Sequence, residues 1–357
     1  MPALQASEIQ DLVYNTLNEL GRGKFTEITT DFQRHIAIPK LINKKKVQFD
    51  DGVEIQFNVM TNHNESAEMT GLFNVDNVNV NEVMTQGKVP WRHCQASWAI
   101  DEREVMINRS PSKIVDMIKT RRIACLISLA QLMERRFWRV PASTDDTNFY
   151  GVPYWIVKSA TATSTNNGFN GTVPSGYSTV GNLSPTTYPR WANYAAPYTN
   201  ITKSDLIREW RRAAHMTDWT PPVEGVPEFD TGDGFGFYTT YSLFSQLIEI
   251  LEAQNESLGG DIAPYDGRGV VFMGTDVMWV PALSNGNDND TTNPVYGIYW
   301  GEFKPFVMTG RWMKDTAIAK TPGQHNVSSY FVDCSMNFVC RNRRRCFVVS
   351  NGTTLPA

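Results

Sequence analysis

"VDCSMNFVCRNRRRCFVVSN", residues 332–351, decides how the C-terminal part of the chain is read. Its flanks have the apolar and alternating character of β-strands, and between them Arg341, Arg343, Arg344 and Arg345 fill four of five consecutive positions. Two such flanks around a short polar turn predict a hairpin with the arginines at its tip. A tip of this kind can be solvated, can bind carboxylates through arginine's bidentate fork, or can grip phosphates. The choice depends on the protein around it.

The chain has 357 residues, 41% hydrophobic and 20% charged, which is a globular composition. Its length allows roughly two or three lobes. The net charge of −4 excludes a whole-chain electrostatic case for nucleic-acid binding, so any such role has to be local. The first twenty residues lack a basic flank followed by an apolar run and do not read as a signal peptide. No stretch reaches the roughly 18 apolar residues of a membrane span, so no membrane partner is expected. Cys94, Cys125, Cys334, Cys340 and Cys346 form no C-x-x-C pair, which predicts reduced, buried thiols in a cytoplasmic setting and no zinc site.

Along the chain, residues 7–21 read as a helix with a Ser7–Gln10 capping box. Residues 46–100 change to period two around an Asp51-Gly52 hairpin signal. They predict an extended β-loop so thinly apolar that it makes sense lying across another subunit. Residues 110–141 give the longest helix signal, with Ser110 as cap, Pro111 at the first helical position and Pro141 beyond the end. Ile114, Ile118, Cys125, Leu129 and Leu132 are expected on one side, flanked by Val115, Leu126, Met133 and Phe137. Lys113, Arg121, Arg122, Arg135 and Arg136 fall mainly away from that face, free to meet water or phosphates. Residues 159–189, rich in Ser, Thr, Asn, Gly and Pro, predict a long loop or irregular β-segment at the surface. Helices follow over 204–216 and 238–257, the second entered through "GDGFG", and the pattern is β from 268 onward. With no repeat and no strict strand–helix alternation, the fold class is α+β.

No stretch assembles chemistry. "GDGFGF" (232–237) lacks the Lys-Ser/Thr of a phosphate loop, and no two histidines have metal-pair spacing. Asp101, Glu102 and Glu104 could be glycosidase-type acids, or simply a solvated charge run. Trp191, Trp210, Trp219, Trp279, Trp300 and Trp312 could stack sugars or fill a core. The expectation is no enzyme, with no catalytic residue, cofactor or metal.

Two stretches carry a resemblance to a known family. "YPRWANYAAPYTNITKSDLIREWRRAAHMTDWTPP" (188–222) resembles a segment of tailed-bacteriophage major capsid proteins, in which an Arg-Trp-x-Asn run precedes an amphipathic helix with paired basic residues. Residues 332–351 are similar to the terminal strand pair of some of those proteins, with its Asn-Arg-Arg-Arg turn. The resemblance implies the Hong Kong 97-like capsid fold. It implies an N-terminal arm over 1–45, an extended β-loop over 46–105, and a peripheral domain with a spine helix over 106–150. A mainly axial domain over 151–300 follows, then returning β-strands of both domains over 301–357. The implied function is self-assembly, as hexamers and pentamers, into the icosahedral head shell around double-stranded DNA. The implied place is the virion, with assembly in the host cytoplasm. The short arm leaves no room for a long fused scaffold, which implies a separate scaffolding protein. A portal and a decoration protein are further implied partners, and contact with packaged DNA is non-specific. Under this reading Arg341, Arg343, Arg344 and Arg345 become first of all subunit contacts. Lys113, Arg121, Arg122, Arg135 and Arg136 become lumen-facing residues. The alternatives are an encapsulin-type nanocompartment shell of the same fold and a β-rich carbohydrate-active or carbohydrate-binding protein.

Overall fold

The computed structural model describes residues 37, 47–62, 68–72, 82–107, 111–158, 168–218, 234–255, 270–284, 291–316, 319–320 and 323–351. The helix expected over 7–21 lies outside them. The first elements are β1 (Gln48–Asp50), β2 (Glu54–Met60), β3 (Met84–Pro90), β4 (Arg92–Asp101), α1 (Glu102–Ile107) and α2 (Pro111–Phe137). The middle of the chain forms β5 (Gly168–Gly171), β6 (Asn193–Tyr198), α3 (Leu206–Thr217), β7 (Phe235–Thr239) and α4 (Tyr241–Asn255). Then come β8 (Val271–Phe272), β9 (Thr275–Trp279), β10 (Val295–Tyr299), β11 (Phe303–Met308), β12 (Lys314–Asp315) and β13 (Ala319–Lys320). The long β14 (Val327–Cys340) and β15 (Phe347–Asn351) close the chain, and the class is α+β as expected.

Two large sheets organise the molecule. One has seven strands in the order β5-β6-β15-β10-β7-β9-β8. The other is built along β14, with β4 on one edge, β11, β12 and β13 on the opposite edge, and β1 parallel to β11. Apolar residues fill both faces of the seven-stranded sheet. Phe237, Val295, Phe347 and Val349 meet Leu206, Trp210, Leu243 and Leu247 of α3 and α4. The alternate residues Tyr238, Tyr296, Ile298 and Val348 face the second core, which holds Phe137 and Trp138. A strand buried on both faces has no polar alternation, which is why Phe347–Val349 are uniformly apolar.

The 27 residues of α2 form a rod of roughly 40 Å. Ile118, Cys125, Leu129, Met133 and Phe137 are buried along it. Their late spacing of four residues, against 3.6 per turn, rotates the buried stripe around the helix. Leu132, expected on that stripe, is therefore turned out and 40% exposed.

Four further expectations are corrected. Asp51-Gly52 is no hairpin tip: Gly52, at φ +126°, turns the chain out of β1, and β2 pairs instead with β3. Residues 92–101, expected in the extended loop, run in the large sheet because Cys94, Trp98 and Ile100 point into the core. Tyr238 and Thr239, expected to open the helix over 238–257, instead end the strand over 235–239, since Phe237 and Tyr238 are buried on opposite faces. Residues 172–189 are irregular but not all surface, for Val180 and Leu183 are buried.

Candidate functional site

The turn at 341–345 does not join a hairpin. β14 belongs to one large sheet and β15 to the other, so the turn is the joint between them. Arg343–Arg345 form one 3-10 turn capped by Asn342, whose Oδ1 accepts from the Arg344 backbone N–H at 3.1 Å. Arg343 is completely buried. Its Nε donates to the Trp155 carbonyl at 2.7 Å and its Nη1 to the Trp191 carbonyl at 2.9 Å. Its Nη2 donates to the carbonyls of Gly171 and Thr172 and to Asn193 Oδ1, at 3.0, 2.9 and 3.2 Å. No carboxylate takes part, so four backbone carbonyls and one side-chain amide replace the water around this cation. Burial holds its pKa down at about 10, and it stays charged at neutral pH. Trp191 and Asn193 belong to the Arg-Trp-x-Asn run, so the two stretches that carry the sequence resemblance meet here.

The other arginines of the turn diverge. Arg345 is buried, 3.4 Å from Glu302 and 3.7 Å above the Tyr299 ring centroid. Burial raises the Glu302 pKa although Arg345 opposes the shift. Arg341 donates to Gln48 Oε1 at 2.7 Å, and Arg344 lies 4.1 Å above Phe169. The expectation of an open tip therefore fails for Arg343 and Arg345, whose donors are engaged inside the chain. Arg341 and Arg344 are only partly exposed.

The basic residues of α2 divide similarly. Arg121 reaches Glu104 at 2.8 Å and the Ala99 carbonyl at 2.7 Å, and Arg122 reaches Asp315 at 2.8 Å. Arg135 is exposed and Arg136 partly so. Their charges, after burial itself, depress the pKa of Arg139, so like charges gather at this helix end. The side chain of Lys113 lies outside the described residues. Asp101 pairs with Arg103 at 2.9 Å and Glu104 with Arg121, so this acidic run fastens β4 and α1 to α2. Trp191, Trp210 and Trp300 are buried, and Trp219 lies outside the described residues. All five cysteines are free and buried. Among the described residues no cluster of His, Cys, Asp or Glu could hold a metal, and no helix is long and apolar enough to cross a membrane.

The β2–β3 hairpin pairs only with itself. Ile55, Phe57 and Val89 anchor its base, where Phe57 packs 6.1 Å from Trp155 and 6.4 Å from Trp191 between ring centroids. Away from the base the apolar cover ends. Met60 and Met84, opposite each other at the far end of the ladder, are 53% and 51% exposed, and Met69 and Leu72 are fully open.

No protein-family model matches the sequence, and no curated protein matches it. Solved structures do. The chain is similar to the capsid asymmetric unit of Cyanophage A-1(L), with 13% identity, a TM-score of 0.54, and 96% of this chain and 99% of that one covered. It is similar to the capsid of a native GTA particle, with 9% identity, a TM-score of 0.54, and 98% and 99% covered. A structure from Microbacterium phage Oxtober96 matches with 10% identity, a TM-score of 0.51, and 95% and 98% covered.

Proposed function

Because the chain has the Hong Kong 97-like capsid fold, we propose that it is a major capsid protein. It self-assembles, as hexamers and pentamers, into the icosahedral shell around the double-stranded DNA of a tailed bacteriophage. A fold alone does not specify a function. The observation that carries the reading is the β2–β3 hairpin, an arm on which Met60, Met69, Leu72 and Met84 are exposed. Apolar surface of this kind on a polar arm marks a contact with another molecule. Arms that order on association suit a shell, because each contact can be modest when every subunit makes many.

In this reading the N-terminal residues and the hairpin are the arm and extended loop, and α2 is the spine of the peripheral domain. The seven-stranded sheet with α3 and α4 is the axial domain. Lys113, Arg135 and Arg136 face the lumen and its DNA, with a smaller share from the paired Arg121 and Arg122. Arg341 and Arg344 are the members of the turn left for subunit contacts. A separate scaffolding protein, a portal and a decoration protein are the further partners, and the assembled shell belongs to the virion. The carbohydrate reading loses three of its six candidate platforms, since Trp191, Trp210 and Trp300 are buried. Rate-zonal sedimentation followed by nuclease treatment tests the proposal. Protected double-stranded DNA in a fast-sedimenting fraction is expected, whereas closed particles holding only protein would favour the nanocompartment.

A further inference from the structure

The exposed face of α3 is a basic stripe led by three arginines. Arg208, Arg211, Arg212 and His215 are all exposed, at the 0, 3, 4, 7 spacing of one helix face, while Leu206, Trp210, Ala213 and Ala214 are buried on the other. Like charges three and four residues apart repel, and each such pair costs the helix a few tenths of a kcal/mol. Elsewhere on the chain Arg121, Arg122 and Arg345 meet carboxylates. Arg208, Arg211 and Arg212 form no ion pair among the described residues.

The complement lies in the same sequence. Residues 47–90, the hairpin and its approach, contain seven Asp and Glu against one Lys, Lys88. The whole chain has a net charge of only −4, so the remainder is net basic. Asp51, Glu54, Glu68 and Glu82 are exposed on the described part of this arm. β2 and β3 pair with no strand but each other, so the arm is not an inner strand of either large sheet.

We propose that the acidic β2–β3 arm of one copy docks along the Arg208–Arg211–Arg212–His215 stripe of a second copy. The inference rests on the shell reading and names the surface that receives the arm. Each copy supplies one arm and one stripe, a head-to-tail contact that propagates around a ring. Exposed ion pairs are individually weak and screened by salt, so the contact sets register and encounter rate more than affinity. Arginine suits it because its fork meets carboxylates bidentately.

Two full-length charge-reversal variants test this. The stripe variant carries Arg208→Glu, Arg211→Glu and Arg212→Glu, and the arm variant carries Glu54→Lys, Glu68→Lys and Glu82→Lys. All six positions are exposed, and circular dichroism and thermal melting check that both variants fold as the wild type does. Sedimentation at low salt should find roughly tenfold less associated material for each variant alone. An equimolar mixture restores both complementary contacts and should recover association. Single variants that associate like the wild type, or a mixture no better than either alone, overturn the proposal. A stripe variant that assembles normally but loses nuclease-protected DNA also overturns it and assigns the stripe to phosphates. If the wild type forms no closed particle while the mixture still associates more strongly than either variant alone, the shell reading falls and the docking contact stands.

Discussion

Arg343 takes a positive charge into the core with only carbonyls and one side-chain amide to meet it. It ties Trp155, Gly171, Thr172, Trp191 and Asn193 to the joint between the two large sheets. Lysine at this position keeps the charge but loses the planar fork that reaches five acceptors. Arg343→Lys should lower unfolding stability by about 3 kcal/mol or more, read from urea denaturation. A loss under about 0.5 kcal/mol would show that the cage contributes little. Glu302 makes a second residue-level prediction. Its folded pKa is raised by burial, so its contribution to stability is full below the ordinary carboxylate range and is lost as pH rises through the folded value. Wild type should therefore gain stability relative to Glu302→Gln as pH falls through that window, measured by melting at several pH values. A pH-independent difference would contradict it. The sequence displayed these arginines but not their destinations. The acceptors of Arg343 are backbone atoms of segments far away in the chain, and no residue type announces a carbonyl aimed at a guanidinium.

At the scale of elements, legibility followed the range of the interaction that decides each one. The long helix was readable because its apolar repeat and Pro111 are local. The strands at 332–340 and 347–351 were readable as strands, yet their assignment to different sheets was not. Alternation states which face a residue takes and says nothing about which strand lies alongside. The same limit displaced the hairpin from Asp51-Gly52 to β2 and β3. The arm now makes its own prediction. A Cβ added at Gly87 would fall 2.3 Å from Phe57 Cζ, inside the packing of Phe57 on Trp155 and Trp191. Gly87→Ala should destabilise the arm's base by about 1–3 kcal/mol. Amide exchange across Ile55–Phe57 should rise while exchange in β14 stays unchanged, and equal protection in both proteins would sink this packing argument.

For the molecule as a whole, the charge distribution is more informative than the total. A net charge of −4 conceals an arm whose seven carboxylates face a single lysine, Lys88, and a helix face lined by three arginines. Composition gives only the total charge and could not show where opposite charges are held apart for association. That separation appears only when α3 is seen packed by Trp210 and Leu206, with its arginines outward. The Arg-Trp-x-Asn and Asn-Arg-Arg-Arg stretches are another case, since their joint meaning lies in the contact between Arg343, Trp191 and Asn193. The most direct measurement is electron microscopy of the purified full-length protein across salt concentrations, with and without a scaffolding partner. Closed icosahedral particles of uniform diameter are the predicted result. Small monodisperse species under every assembly condition would contradict the assignment to a capsid shell.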